Sequence, residues 1–127
     1  MMKLNLSDSE WKLMNRLWEH APRTITELTA ALREETGWSK NTIITMLSRL
    51  EAKGAVTHTE GQRAKQYSPL ILREDAAREE TESFLSKVYG GSLGSLVNAM
   101  VSSRALTEAD LEELSAILEQ AKEAKDR

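Results

Sequence analysis

The sequence predicts a mainly α-helical chain with one small β-hairpin, and three observations carry that prediction. Helix-start signals recur along the chain, each followed by apolar residues at spacings of three and four. Two short β-prone runs near the middle flank a Gly-containing connection. Beyond them the apolar residues fall on narrow helical stripes with acidic residues outside. The 127 residues are 40% hydrophobic and 29% charged, as in a folded domain rather than a disordered chain.

The first helix starts at Ser7. Ser7 and Glu10 have the S-x-x-E spacing of a capping box, in which hydroxyl and carboxylate each satisfy a backbone N–H left free at a helix start. Trp11, Met14, Leu17 and Trp18 then form one apolar face, which assigns both tryptophans to the core, and Pro22 ends the helix. A second box, Thr24 with Glu27, opens a short helix carrying Leu28, Ala31 and Leu32, with Ile25 expected in a brief extended piece at its start. Gly37 stops that helix and Ser39 begins the third, whose buried stripe is Ile43, Leu47 and Leu50 and whose left-handed terminator is Gly54. Ala55–Thr59 and Lys65–Ser68 make a hairpin across residues 60–64, closed by Pro69. Three short helices followed by a two-stranded hairpin is the order of a winged helix-turn-helix.

From Glu74 the pattern lengthens. Ala77, Thr81, Phe84, Leu85 and Val88 face one way until Gly90-Gly91 breaks the run. Leu93, Leu96, Val97, Met100 and Val101 repeat next, and Thr107 opens a last helix with Leu111, Leu114, Leu118 and Ala121 on a narrow seam. The expected organisation is a winged-helix domain over residues 1–72 and a helical domain over 73–127. The second is too short and too striped to build a core alone. Its seams are therefore assigned to a homodimer interface made by Phe84, Leu85, Val88, Leu93, Leu96, Val97, Met100, Leu111, Leu114 and Leu118.

The net charge of −3 is unevenly divided. Residues 1–72 hold 10 Lys+Arg against 8 Asp+Glu, a net +2, whereas residues 73–127 hold 7 against 12, a net −5. The outer face of the third helix shows Asn41, Thr42, Thr45, Ser48 and Arg49, with Lys40 in the first turn and no acid before Glu51. A polar helix face is most often just a solvated one. Here it precedes a hairpin carrying Arg63 and Lys65, and that combination suits duplex DNA. In a major groove Asn41 can pair with adenine, while Thr42 and Thr45 can offer a hydroxyl or a methyl. Thr42→Ala or Thr45→Val should then relax base preference. Arg49, the helix start at Ser39, Arg63 and Lys65 suit phosphates. Two such helices related by a two-fold would read a palindrome with half-sites about 10 bp apart, or a multiple of that.

Other classes find little support. The chain has no cysteine, which removes a disulfide framework, a thiolate metal site and a cysteine nucleophile, and fits a reducing compartment. His20 and His58 are the only imidazoles, and there is no Gly-rich phosphate loop, metal-ligand spacing or nucleophile–base pair. An enzyme is not expected, and neither is a metal or cofactor. Met1 to Leu6 hold no long apolar run, and no window approaches the ~18 apolar residues of a spanning helix, so the expected location is cytoplasmic without direct membrane association.

The sequence resembles the BlaI/MecI penicillinase-repressor family over about residues 5–120. The resemblance is carried by Ser9-Glu10-Trp11 and Leu17-Trp18, by Trp38-Ser39 with Thr42-Ile43, Thr45 and Ser48-Arg49-Leu50, and by Phe84-Leu85 with Lys87-Val88-Tyr89-Gly90-Gly91 and Leu96-Val97. It implies a homodimeric repressor that blocks β-lactam-resistance or related genes by occupying an operator. It also implies operator contacts from Lys40, Asn41, Thr42, Thr45 and Arg49, and release by proteolysis that depends on a membrane-bound sensor metalloprotease. Two departures stand out. Cleaved members have an Asn-Phe bond after a Leu-Val-Leu run, whereas this chain reads Leu96-Val97-Asn98-Ala99-Met100, which aligns Ala99–Met100 with the cut. Asn41 and Ile44 occupy positions that are often basic in relatives. Lacking cysteine, the chain also cannot follow the copper-responsive branch with its cysteine-rich tail. Two other readings stay open: a winged helix used for protein–protein contact, and a regulator gated by a small ligand in a pocket lined by residues such as Tyr67, Phe84 and Leu85.

Overall fold

Local capping sets the frame of the computed structural model, which describes residues Leu4–Asp126; residues 1–3 and 127, at the outer ends of the two expected domains, lie outside it. Helix α1 (Asp8–Glu19) is capped by the Ser7/Glu10 box and α2 (Ile25–Thr36) by the Thr24/Glu27 box. In each box the side chain of the cap accepts from the third residue and the acid accepts from the cap backbone. Gly37 ends α2 at φ +67, a left-handed conformation that costs a side-chain-bearing residue more. Helix α3 (Lys40–Ala52) follows, capped by Ser39, and Gly54 takes φ +81 just beyond it, with Ala55 N–H closing onto Leu50 O at 2.9 Å.

Strands β1 (Val56–Glu60) and β2 (Lys65–Pro69) pair antiparallel, with Val56 opposite Pro69, His58 opposite Tyr67 and Glu60 opposite Lys65. Arg23 adds a single bridge to the free edge of β2: Arg23 N–H donates to Tyr67 O at 3.0 Å and Tyr67 N–H to Arg23 O at 2.8 Å. The extended piece expected at Ile25 is thus at Arg23. Ile25 is the first residue of α2, because the Thr24 box makes the very next residue helical.

The core of this part lies among α1, α2, α3 and the hairpin. The fully buried residues of α1 are Leu13, Met14 and Leu17, while Trp11 and Trp18 are half-buried at its edge. The two indoles lean on each other at 5.6 Å, and Trp18 Nε1 donates to Ile71 O at 3.0 Å. The tryptophans therefore cover the core, and Leu13, absent from the expected face, fills it. Leu28 and Leu32 of α2, then Ile43, Met46, Leu47 and Leu50 of α3, complete the apolar layer. Burial of each such side chain contributes roughly 1.5–3 kcal/mol relative to exposure.

Helix α4 (Arg73–Tyr89) buries Ala76 rather than any residue of the face expected from Ala77 onward; Ala77 and Leu85 are half-buried, and Thr81, Phe84 and Val88 are exposed. Helices α5 (Leu93–Ser102) and α6 (Glu108–Lys125) follow, α6 capped by a Thr107/Asp110 box. The chain divides into two compact units between Thr81 and Glu82, inside α4, whereas the change of sequence character at 72/73 marks the start of that helix. Among the described residues none after Ala76 is buried. In the second unit Leu96, Val97, Leu106 and Leu114 line a shallow apolar groove with Leu93, Met100 and Ile117. Phe84, Val88, Val101, Leu111 and Leu118 are all more than two-fifths exposed. No helix among the described residues is long and apolar enough to cross a membrane.

Candidate nucleic-acid interface

The periodicity of α3 separates two faces. Ile43, Met46, Leu47 and Leu50 point into the core, which leaves Asn41, Thr42, Ile44, Thr45, Ser48 and Arg49 outside, with Lys40 in the first turn. Ser39 Oγ accepts from Thr42 N–H at 3.3 Å and lies 3.2 Å from Thr42 Oγ1. Thr45 Oγ1 donates to Asn41 O at 3.0 Å. Arg63 stands exposed in the hairpin loop and Lys65 at the start of β2. Among the described residues, Lys40, Arg49, Arg63 and Lys65 form no ion pair, whereas Arg16, Lys53, Arg78 and Lys122 do. The unpaired cations are available to an outside anion.

Two ties hold the outer helix in place. Lys53, at the C-terminal end of α3, donates from Nζ to Glu10 Oε1 at 2.6 Å and to Asn5 O at 2.7 Å. Glu10 is a buried carboxylate, only 4% exposed. Burial pushes its carboxyl up, but the Lys53 ammonium and Ser7 outweigh that and hold it below the usual carboxylate range. At the other tie, His58 Nδ1 of β1 meets Glu51 Oε2 of α3 at 2.6 Å, and the ring leans on Tyr67 at 5.4 Å. Burial, then the nearby Glu51 and Glu60 carboxylates, raise the Tyr67 hydroxyl above its ordinary range. His58 is thus a structural link between hairpin and helix. His20 caps the C-terminal end of α1 and its carbonyl accepts from Arg23 Nε at 2.9 Å.

The structure gathers Asn41, Thr42, Thr45 and Arg49 along one shallow groove, whose other wall is Ser7, Ser9, Glu10 and Trp38. Ser39, Lys40 and Ser48 stand on the same helix outside that groove, and Arg63 and Lys65 on the hairpin. Sequence reasoning missed Ser7, Ser9 and Trp38 as borders of the outer face of α3; only the three-dimensional approach of the start of α1 to α3 brings them there.

The family model for penicillinase repressors matches residues 6–120. The chain belongs to the penicillinase repressor family. That family is one of repressors, not of enzymes. The chain is 35% identical over 120 residues to the penicillinase repressor of Bacillus licheniformis, covering 94% of each protein. It is 30% identical over 113 residues to the methicillin resistance regulatory protein MecI of Staphylococcus aureus strain N315, covering 89% of this chain and 92% of MecI. Among solved structures it is similar to the Bacillus licheniformis BlaI monomeric form in complex with the blaP half-operator, with a TM-score of 0.51 and 35% identity over 58% of this chain and 90% of that one. The mainly helical winged-helix architecture of this penicillinase repressor family member agrees with the fold class expected from its sequence.

Proposed function

We propose that this penicillinase repressor family member is a homodimer that holds a palindromic operator in duplex DNA, one α3 per half-site. The observation that carries this reading is the outer face of α3, which presents short polar side chains and Arg49, with no acid before Glu51, beside cations that no carboxylate among the described residues neutralises. The BlaI relative that shares 35% identity was solved on its half-operator, which supports the same use here. Asn41, Thr42, Thr45 and Ser48 would meet base edges, and Ser39, Lys40, Arg49, Arg63 and Lys65 phosphates. Dimerisation through Phe84, Leu85, Val88, Leu93, Leu96, Val97, Met100, Leu111, Leu114 and Leu118 is supported by the lack of any buried residue after Ala76 among the described residues of a single chain.

The names of the relatives suggest β-lactam-resistance or related genes as targets; a reader of genomic duplexes would act in the cytoplasm. Release by a membrane sensor-protease system would cut at Ala99–Met100. That bond lies inside α5, where Ser103 N–H bonds Ala99 O at 3.0 Å, so the helix would have to open first.

The test is a titration of a labelled duplex from the upstream region of the protein's own gene, beside an unrelated duplex, at rising salt. Specific retention by two chains, falling about 10³-fold or more between 50 and 200 mM salt, is the expected result. Complete absence of binding would leave a protein–protein module as the better reading.

A further inference from the structure

Resting on the repressor reading, the outer face of α3 has a chemical bias that its polar composition conceals. Four of the apolar residues of α3, Ile43, Met46, Leu47 and Leu50, are at most 6% exposed, but Ile44 is 42% exposed. A single exposed apolar residue is ordinary on a protein surface. The position of this one is less so. At roughly 100° per residue, Ile44 lies about 60° from Asn41 and about 40° from Ser48, on the flank of the reading face opposite Arg49.

The threonines add to the bias. The hydroxyl proton of Thr45 is spent on Asn41 O, and the Thr42 hydroxyl is engaged with Ser39 Oγ. With those groups turned to the helix, each threonine offers a methyl outward. Beside Arg49, the face therefore consists of one amide, one hydroxyl without a partner among the described residues, and three branched methyl-bearing side chains. In the major groove the feature that such side chains can recognise is the C5-methyl of thymine.

We infer that Ile44, together with the γ-methyl of Thr45, reads thymine methyl groups in each half-site, so that apolar contact sets base preference beside the Asn41 amide. The occupant of this patch is thus a duplex with thymine at fixed positions. The bias also revises the expectation for Thr45→Val: a valine keeps the outward methyl, and Thr45→Ser is the variant that loses it.

The experiment uses the full-length protein. Selection from a pool of random duplexes gives the preferred site, and synthetic duplexes of that site are then made with each dT replaced by dU, which removes the methyl alone. One position per half-site should lose about four-fold in affinity on losing one buried methyl, and a second should respond to Thr45→Ser but not to Thr45→Val. Ile44→Ala should bind the dT and dU duplexes equally at its position, whereas Arg49→Ala should weaken both and preserve their ratio. If the site is held with a steep salt dependence but no dU replacement matters, or if Ile44→Ala leaves the ratio intact, the inference is overturned while the repressor reading stands. Failure to select any duplex would overturn both.

Discussion

Removing the ammonium of Lys53 tests how the outer helix is anchored. Lys53→Met keeps the aliphatic stem but takes one donor from Glu10 Oε1 at 2.6 Å and from Asn5 O at 2.7 Å. The Glu10 side chain is 5% exposed, and its Oε2 has no partner among the described residues, so among these the carboxylate is left with Ser7 alone. A charge-assisted hydrogen bond contributes about 1.5–3 kcal/mol, and breaking a fully buried pair costs about 3–5 kcal/mol. Lys53 is 37% exposed, which lets water reach the pair from one side and selects the lower range. The expected loss is about 2 kcal/mol. Glu10→Gln removes the charge yet keeps an oxygen for both donors, for a loss of about 1 kcal/mol, and the double variant should cost about 1 kcal/mol less than the sum. Urea unfolding followed by tryptophan fluorescence reads this cleanly, since Trp11, Trp18 and Trp38 all lie in the first unit. The pH dependence provides a second arm. A carboxyl held low in the folded state stabilises at pH above its unfolded value and loses that contribution as pH falls through its folded value. The gap between the unmodified protein and Glu10→Gln should therefore close as the pH drops below about 4.5, the ordinary value. A Lys53→Met loss under about 0.5 kcal/mol with no coupling to Glu10 would refute the reasoning.

Two further outcomes are expected. Arg49→Ala should weaken all duplexes alike and lower the salt slope by about one phosphate per chain, read by fluorescence anisotropy; an unchanged slope would mean that Arg49 faces no phosphate. Leu118→Asp, at a position 57% exposed, should weaken the dimer by at least about a hundred-fold in sedimentation, because two copies of a side chain worth ~1.5 kcal/mol or more are lost together. Leu111→Asp should act alike, whereas Leu114 also lines the groove against α5, so its substitution would disturb the unit itself. An intact dimer in both exposed variants would move the interface elsewhere.

What the sequence reveals is what is local. The capping boxes at Ser7 and Thr24, the helix start at Thr107 and the terminator at Gly54 are decided within a few residues, and all are found where the pattern puts them. The outer face of α3 follows from the same logic, since its buried stripe is strictly helical. Leu13 was missed because an apolar face wider than the tryptophan ladder admits it. The bridging residue proved to be Arg23 rather than Ile25, because strand pairing depends on a partner, Tyr67, far along the chain. The Glu10–Lys53 pair joins residues 43 apart, and no spacing rule announces it. Nor does composition reveal which way a threonine hydroxyl turns; that choice at Thr42 and Thr45 belongs to the folded helix.

The bridge between Arg23 and Tyr67 has a consequence for the far end of the hairpin. Tyr67 is fastened on both sides, by its ring against His58, its partner across the β1–β2 ladder, and by its backbone N–H and C=O, which both pair with Arg23. Sliding β2 by one residue would break the second fastening and swing the Tyr67 ring from the interior into water, since side chains alternate along a strand. The register is thus locked at its base, and Lys65 at the start of β2 is held at one height by a residue that precedes α2. Arg63 lies outside that lock, in the connection 61–64 beyond the Glu60–Lys65 pair, so the fold positions the two hairpin cations by different means.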